Sequence, residues 1–168
     1  MSGTGNLPLA QATRICDGVV ATCLSRGFAP VTVYVCDANG EPVAFQRMDG
    51  CSAKVTPDVA RSKAYTSAAL RMSSRAFREK YTTGNDPAKF CQMLSMVNIS
   101  GGNMAPFPGG ILLRSADGAV LGSVGVSGAA GDEDEFCALQ AVKDLGLGII
   151  TEPAEHSLKL AKRPREEA

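Results

Sequence analysis

Tryptophan is absent from this chain of 168 residues, and histidine occurs once, as His156. A single histidine excludes zinc sites built from several histidines, and the lack of a Gly-x-Ser-x-Gly segment argues against a serine hydrolase. The chain also lacks a Cys-x-x-Cys pair, and its six cysteines are irregularly spaced. This spacing predicts reduced thiols and no metal site.

An excess of either charge is missing as well, since 17 Lys and Arg residues balance 17 Asp and Glu residues. Nucleic acids and anionic membranes are bound through a sustained positive field, so neither is expected as a partner. No apolar run reaches the roughly 18 residues of a membrane span, and the polar start lacks the features of a signal peptide. We expect a cytoplasmic protein with one domain over 1–158 and a charged tail over 159–168.

The first third of the chain has clear helix and strand patterns. Apolar residues at steps of three and four predict a helix over 9–24. Alternating residues then predict strands over 31–36 and 42–47. Asn39 and Gly40 lie between these strands and suit the positive φ angles of a tight turn, which predicts a hairpin.

The rest of the chain is predicted to be helices followed by a second hairpin and a last helix. Helix start signals occur near Thr56, Ser73 and Pro87. Strands over 111–114 and 119–126 flank the turn sequence Asp-Gly, and acidic residues from 132 onward open the final helix. Hairpins between helices predict an antiparallel sheet with helices packed on it, which excludes a parallel Rossmann sheet.

Several motifs together resemble one known family. They are VxDxxG and RMDG within 35–50, ARxKAxT at 60–66, PGG at 108–110, and GxxGVSG at 122–128 with acids at 132–135. The chain resembles, over about 7–146, the haem-degrading-protein-like family that includes GlcG, HbpS and the C-terminal domain of PduO. The resemblance implies a profilin-like α+β fold with a five-stranded antiparallel sheet, assembly into dimers or larger oligomers, and in some members a haem or related tetrapyrrole ligand.

The motif residues supply the candidate ligand-binding site, which we expect to combine Arg47, Asp49, Lys63, Gly109, Gly110, Ser127 and Gly128. Each has a plainer interpretation. Arg47 either clamps a ligand carboxylate or pairs with Asp49. Lys63 either reaches a carboxylate or is an exposed helix lysine. Gly109, Gly110 and Gly128 either expose backbone N–H groups to an anion or allow neighbouring segments to pack closely.

The sequence does not single out one residue as the ligand of a haem iron. Cys16 and Cys23 lie two turns apart on the apolar face of the first predicted helix, so core packing explains them best. A thiolate from either cysteine or a tyrosinate from Tyr65 or Tyr81 is the alternative. His156 follows the last predicted helix, and we expect it to lie apart from the ligand site.

The sequence is therefore compatible with three functions. The first is an oligomeric small-molecule-binding protein, with haem or a related tetrapyrrole as the ligand. The second is an enzyme acting on a small oxygenated acid, with Lys63 or Asp49 transferring the proton. The third is a non-catalytic assembly module, whose subunit contacts are expected along the Ala- and Ser-rich stretch at 59–69.

Overall fold

The computed structural model describes residues 7–158, so the predicted tail over 159–168 lies outside the described residues. The helices of this part of the chain are α1 (Leu9–Arg26), α2 (Val55–Leu70), α3 (Ser74–Thr82), α4 (Pro87–Ile99) and α5 (Gly131–Asp144). Its strands are β1 (Thr32–Asp37), β2 (Pro42–Arg47), β3 (Gly110–Arg114), β4 (Val120–Ser127) and β5 (Ile150–Glu152).

The five strands form one sheet in the order β2-β1-β4-β3-β5, and every neighbouring pair is antiparallel. Both predicted hairpins are present, β1 with β2 and β3 with β4. The predicted α+β class with a five-stranded antiparallel sheet is confirmed. Hydropathy alone did not locate β5, because a strand of three residues is too short to show a period of two.

One face of the sheet is covered by α1 and α5. Valines of β1 and β4 point to this face and form the main core with apolar residues of both helices. Cys16, Cys23 and Cys137 belong to this core and are fully buried. None of the helices in the described part of the chain is both long and apolar enough to cross a membrane.

The opposite face lies directly against α2. A Cβ atom on Gly125 of β4 would be 2.0 Å from the carbonyl oxygen of Ala60, so the helix backbone touches the sheet. Ser123 donates its hydroxyl hydrogen to the carbonyl of Ala64 at 2.8 Å. Ala60, Ala64 and Ala68 are at most 1% exposed within a single chain. The expectation that this stretch supplies subunit contacts is therefore wrong for these residues.

A smaller core lies between α3 and α4. Phe77 and Tyr81 of α3 pack there against Met93. Ser73 caps α3 as predicted, its side chain accepting a hydrogen bond from the N–H of Ala76 at 3.1 Å. Met93 is the single fully buried residue of α4, which leaves most of that helix exposed.

Candidate functional site

A buried lysine–aspartate pair joins α2 to α5. Lys63 is 3% exposed, and its Nζ donates to Asp134 Oδ2 at 2.8 Å and to the carbonyl oxygen of Val126 at 2.7 Å. Asp134 also accepts from the backbone N–H of Ala129 at 3.0 Å. Burial lowers the pKa of Lys63, and burial raises the pKa of Asp134 to about 6 despite the nearby ammonium. Lys63 is therefore neither exposed nor free to bind a ligand carboxylate.

A second ion pair lies one residue further along α5. Arg75 of α3 donates its Nε–H to both carboxylate oxygens of Glu135 at 3.0 Å, and Glu135 is fully buried. A guanidinium N–H of Arg75 also bonds Asp132. Glu133 accepts from the N–H of Ala130 at 3.2 Å. Asp132 and Glu135 thus share Arg75, whereas Glu133 and Asp134 bond other groups. Within residues 7–158 no three His, Cys, Asp or Glu side chains are grouped to hold a metal ion.

The Pro-Gly-Gly motif lies against this lysine. A Cβ on Gly110 would be 2.4 Å from the carbonyl oxygen of Lys63, and a Cβ on Gly109 would be 2.9 Å from Lys63 Nζ. Gly109 also has a φ of +114°, which other residues adopt only with strain. The N–H of Gly110 donates to Ser74 Oγ at 2.8 Å. Close packing therefore accounts for both glycines.

A cleft of about 420 Å³ opens beside the pair, which we call the lysine cleft. Its walls include Lys63, Phe107, Ser127 and Asp134. A Cβ on Gly128, next to Ser127, would be 2.3 Å from the carbonyl oxygen of Pro30 rather than facing open space. No histidine, cysteine, methionine or tyrosine among the described residues lines this cleft. The cleft therefore has no side chain suited to ligate haem iron.

Arg47 and Asp49 line a different cavity, of about 460 Å³, against Val20 and Leu24 of α1. The Nη1 of Arg47 donates to the carbonyl oxygen of Cys51 at 2.9 Å. Among the described residues Arg47 forms no ion pair, so the expected pair with Asp49 is not made. The structure thus separates Arg47 and Asp49 from Lys63 and Ser127. The remaining expected residues, Gly109, Gly110 and Gly128, line neither of these two cavities.

The two cysteines considered as iron ligands lie in the core, whereas Tyr65 is half-buried and Tyr81 lines a cavity of about 330 Å³ beside Phe90. Burial raises the pKa of Cys16 to about 12, and burial also raises the pKa of Cys23, whose Sγ lies 3.1 Å from the carbonyl oxygen of Ala29. Both side chains are therefore core thiols. Tyr81 packs edge-to-face on Phe77, with ring centroids 5.5 Å apart.

Another cavity, of about 570 Å³, lies along the second half of α5. We call it the histidine cavity because His156 forms part of its wall. Its remaining walls come from the second half of α5 and from residues 149–155, which run back along the helix. The apolar part consists mainly of Leu139, Val142, Ile149 and Ile150.

His156 is held in place by an aromatic contact. Its ring centroid is 4.7 Å from that of Phe136, with the two planes at 77°. Phe136 is 1% exposed, and the guanidinium of Arg26 lies 5.0 Å from its ring centroid. No local pattern predicts this contact, because the two residues are far apart in sequence and are joined through the return of the chain along α5.

The fold and these cavities define an α+β protein with a single antiparallel sheet covered by helices on both faces. A family model described as "Haem degrading protein HbpS-like" matches residues 7–143. The chain therefore belongs to the HbpS-like family, as its motifs indicated. The match ends before the segment that carries His156.

Individual relatives agree with this placement. A 15.0 kDa protein from the dhaT-dhaS intergenic region of Citrobacter freundii is 31% identical over 137 residues, which is 81% of this chain and 89% of the relative. A double mutant of HbpS from Streptomyces reticuli superposes with a TM-score of 0.71 at 26% identity, covering 87% of this chain and 91% of that one. The PduOC:Heme complex superposes with a TM-score of 0.71 at 22% identity, over 82% and 94% of the two chains.

Proposed function

We propose that this protein binds haem or a related tetrapyrrole in the histidine cavity. Membership of a family described as haem-degrading supports the ligand class, and the PduOC:Heme complex shows that a protein of this fold holds haem. The observation that carries the proposal is the cavity itself. Its volume of about 570 Å³ lies within the range of roughly 300–1,000 Å³ common for ligand sites.

The cavity walls suit a flat apolar ring with acidic substituents. Val142 and Leu139 are at most 6% exposed and form a fixed apolar floor. Ile150 is 50% exposed, so covering it with a ligand removes apolar surface from water. Lys143 also lines the cavity and forms no ion pair among the described residues, which leaves its ammonium free for a propionate.

A haem titration with a matched pair of variants tests the proposal. Ile150 in the histidine cavity and Phe107 in the lysine cleft are 50% and 51% exposed, so Ile150→Asp and Phe107→Asp place the same charge on two equally exposed sites. We expect saturable binding of haemin by the unmodified chain, measured from the Soret band. Ile150→Asp should weaken it about tenfold or more, since about 1.5–3 kcal/mol of apolar contact is lost.

The opposite effect of the two variants would place the haem site in the lysine cleft. If Phe107→Asp weakens binding and Ile150→Asp does not, the ligand occupies the lysine cleft formed beside Lys63 and Ser127. If the unmodified chain shows no saturable change in the Soret band, haem is not its ligand.

The second candidate function is proton transfer on a small oxygenated acid in the lysine cleft. The observation that favours it is a buried Lys63–Asp134 pair in the cleft wall, where a lysine of lowered pKa faces an aspartate of raised pKa. Asp49 takes no part, because it lines another cavity. Deuterium exchange next to the carboxylate of small hydroxy and oxo acids, lost in Lys63→Met/Asp134→Leu, would support it. Exchange no faster than in buffer would reject it.

We also propose that the chain forms a homo-oligomer in the cytoplasm through α4. Phe90, Leu94 and Ile99 are 47%, 49% and 85% exposed on this helix. Lys89 is its single charged residue, so two copies of α4 meet with little charge to desolvate. Light scattering should give a multiple of 17.4 kDa, and Leu94→Glu should reduce it. A mass of one chain at micromolar concentration would reject the proposal.

A further inference from the structure

We infer that His156 is the iron ligand of the haem whose binding is proposed above, on which this inference rests. The chain contains no other histidine. His156 lies in the wall of the histidine cavity, whose volume is about 570 Å³. Its ring makes an aromatic contact with Phe136, and neither of its nitrogens has a hydrogen-bond partner among the described residues. An imidazole nitrogen is therefore free at the edge of a cavity whose wall is partly apolar and partly polar.

The ring is positioned without using its nitrogens. Phe136 belongs to α5, is 1% exposed and also packs edge-to-face on Phe28, with centroids 6.1 Å apart. His156 is therefore attached through Phe136 to the rigid part of the molecule. A histidine held only by ring contact keeps a nitrogen lone pair for a metal, whereas a hydrogen bond from a protein donor would occupy it.

The other iron-ligating side chains do not compete for this position. Of the described residues, no cysteine, methionine or tyrosine lines the histidine cavity. Glu155 is the remaining anionic side chain in its wall, and Lys143 the remaining cationic one. His156 is thus the one strong iron ligand that the described wall of this cavity would offer to a bound haem. This inference differs from the expectation that His156 lies apart from the ligand site.

The test is a haemin titration of the full chain compared with His156→Ala, using Phe107→Ala as the control in the lysine cleft. His156 is exposed and bonds no described group, so its removal should leave the fold intact by circular dichroism. We expect His156→Ala to bind at least tenfold more weakly and to lose the imidazole signature in electron paramagnetic resonance. Added imidazole should restore that signature, and Phe107→Ala should match the unmodified chain.

The outcomes separate this inference from the proposal beneath it. If the unmodified chain binds haemin and His156→Ala keeps both its affinity and its spectrum, haem binding stands and His156 is not the ligand. A thiolate spectrum in the unmodified chain would likewise overturn the assignment to His156. If the unmodified chain shows no saturable binding, the proposed function fails and the inference fails with it.

Discussion

The two ends of α5 differ in how their polar groups are used. At the beginning of the helix, Asp134 and Glu135 are buried and bonded to Lys63 and Arg75. The chain that returns along the second half of the helix borders a cavity, and His156 at its end contacts Phe136 with its ring while its nitrogens have no partner among the described residues. The charges at the first end hold α2, α3 and α5 together, and the second end retains groups that a ligand can use.

In this protein the motifs are densest where the polar groups are already bonded to one another. The glycine and lysine motifs converge at the first end, where each accounts for a close backbone approach or a buried ion pair. Buried charges need partners, and such partners leave little free for a ligand. The four predictions below test the contrast, beginning with the largest expected effect.

Lys63→Met should lower the free energy of unfolding by about 3–5 kcal/mol, because Asp134 would remain buried without its partner. The double variant Lys63→Met/Asp134→Leu should recover most of this loss, since no unpaired charge remains. Urea denaturation of the three proteins measures both effects. A single variant as stable as the unmodified chain would show that the pair is not structural.

Gly125→Ala should cost about 1–3 kcal/mol or more, because the new Cβ would lie 2.0 Å from the carbonyl oxygen of Ala60 and force α2 from the sheet. Gly131→Ala is the control, since its Cβ would lie 3.3 Å from the Pro108 ring, a contact that a small shift relieves. Thermal unfolding should separate the two variants. Equal stability would mean that α2 is less closely packed than described.

The pH dependence of stability should report Asp134. Burial raises its folded pKa to about 6 from the usual 3.8, so between these values the folded chain retains a proton that the unfolded chain has released. Its contribution therefore makes the free energy of unfolding fall as the pH rises from about 4 to about 6. Lys63→Met/Asp134→Leu should remove this contribution, and Asp49→Asn, at an exposed position, should keep it. Identical pH profiles would contradict the assignment.

His156→Ala should change stability by no more than about 0.5 kcal/mol, as expected for an exposed side chain outside the core. The loss of stability in His156→Ala should be compared with that in Lys63→Met, because Lys63 borders the lysine cleft and His156 borders the histidine cavity. A large loss of stability in His156→Ala would place the histidine among the structural residues and would end the contrast between the two ends of α5.

Much of the fold was predictable because local patterns and tertiary packing agree. The period of α1, the hairpin turn at Asn39 and Gly40, and the cap at Ser73 are local properties that the structure preserves. The site was less predictable. Ion pairing between Arg75 and Glu135 joins residues 60 positions apart, and Arg47 shares a motif with Asp49 yet bonds Cys51 instead.

The sequence by itself determined the α+β class, the order of its main elements, the membership of the HbpS-like family and the absence of a histidine cluster. Tertiary structure alone decided that Lys63 is neutralised by Asp134 and that His156 borders a cavity. The physical reason is distance along the chain. Helix and strand patterns depend on neighbours within a few residues, whereas burial, ion pairing and cavity walls depend on which distant segments the fold brings into contact.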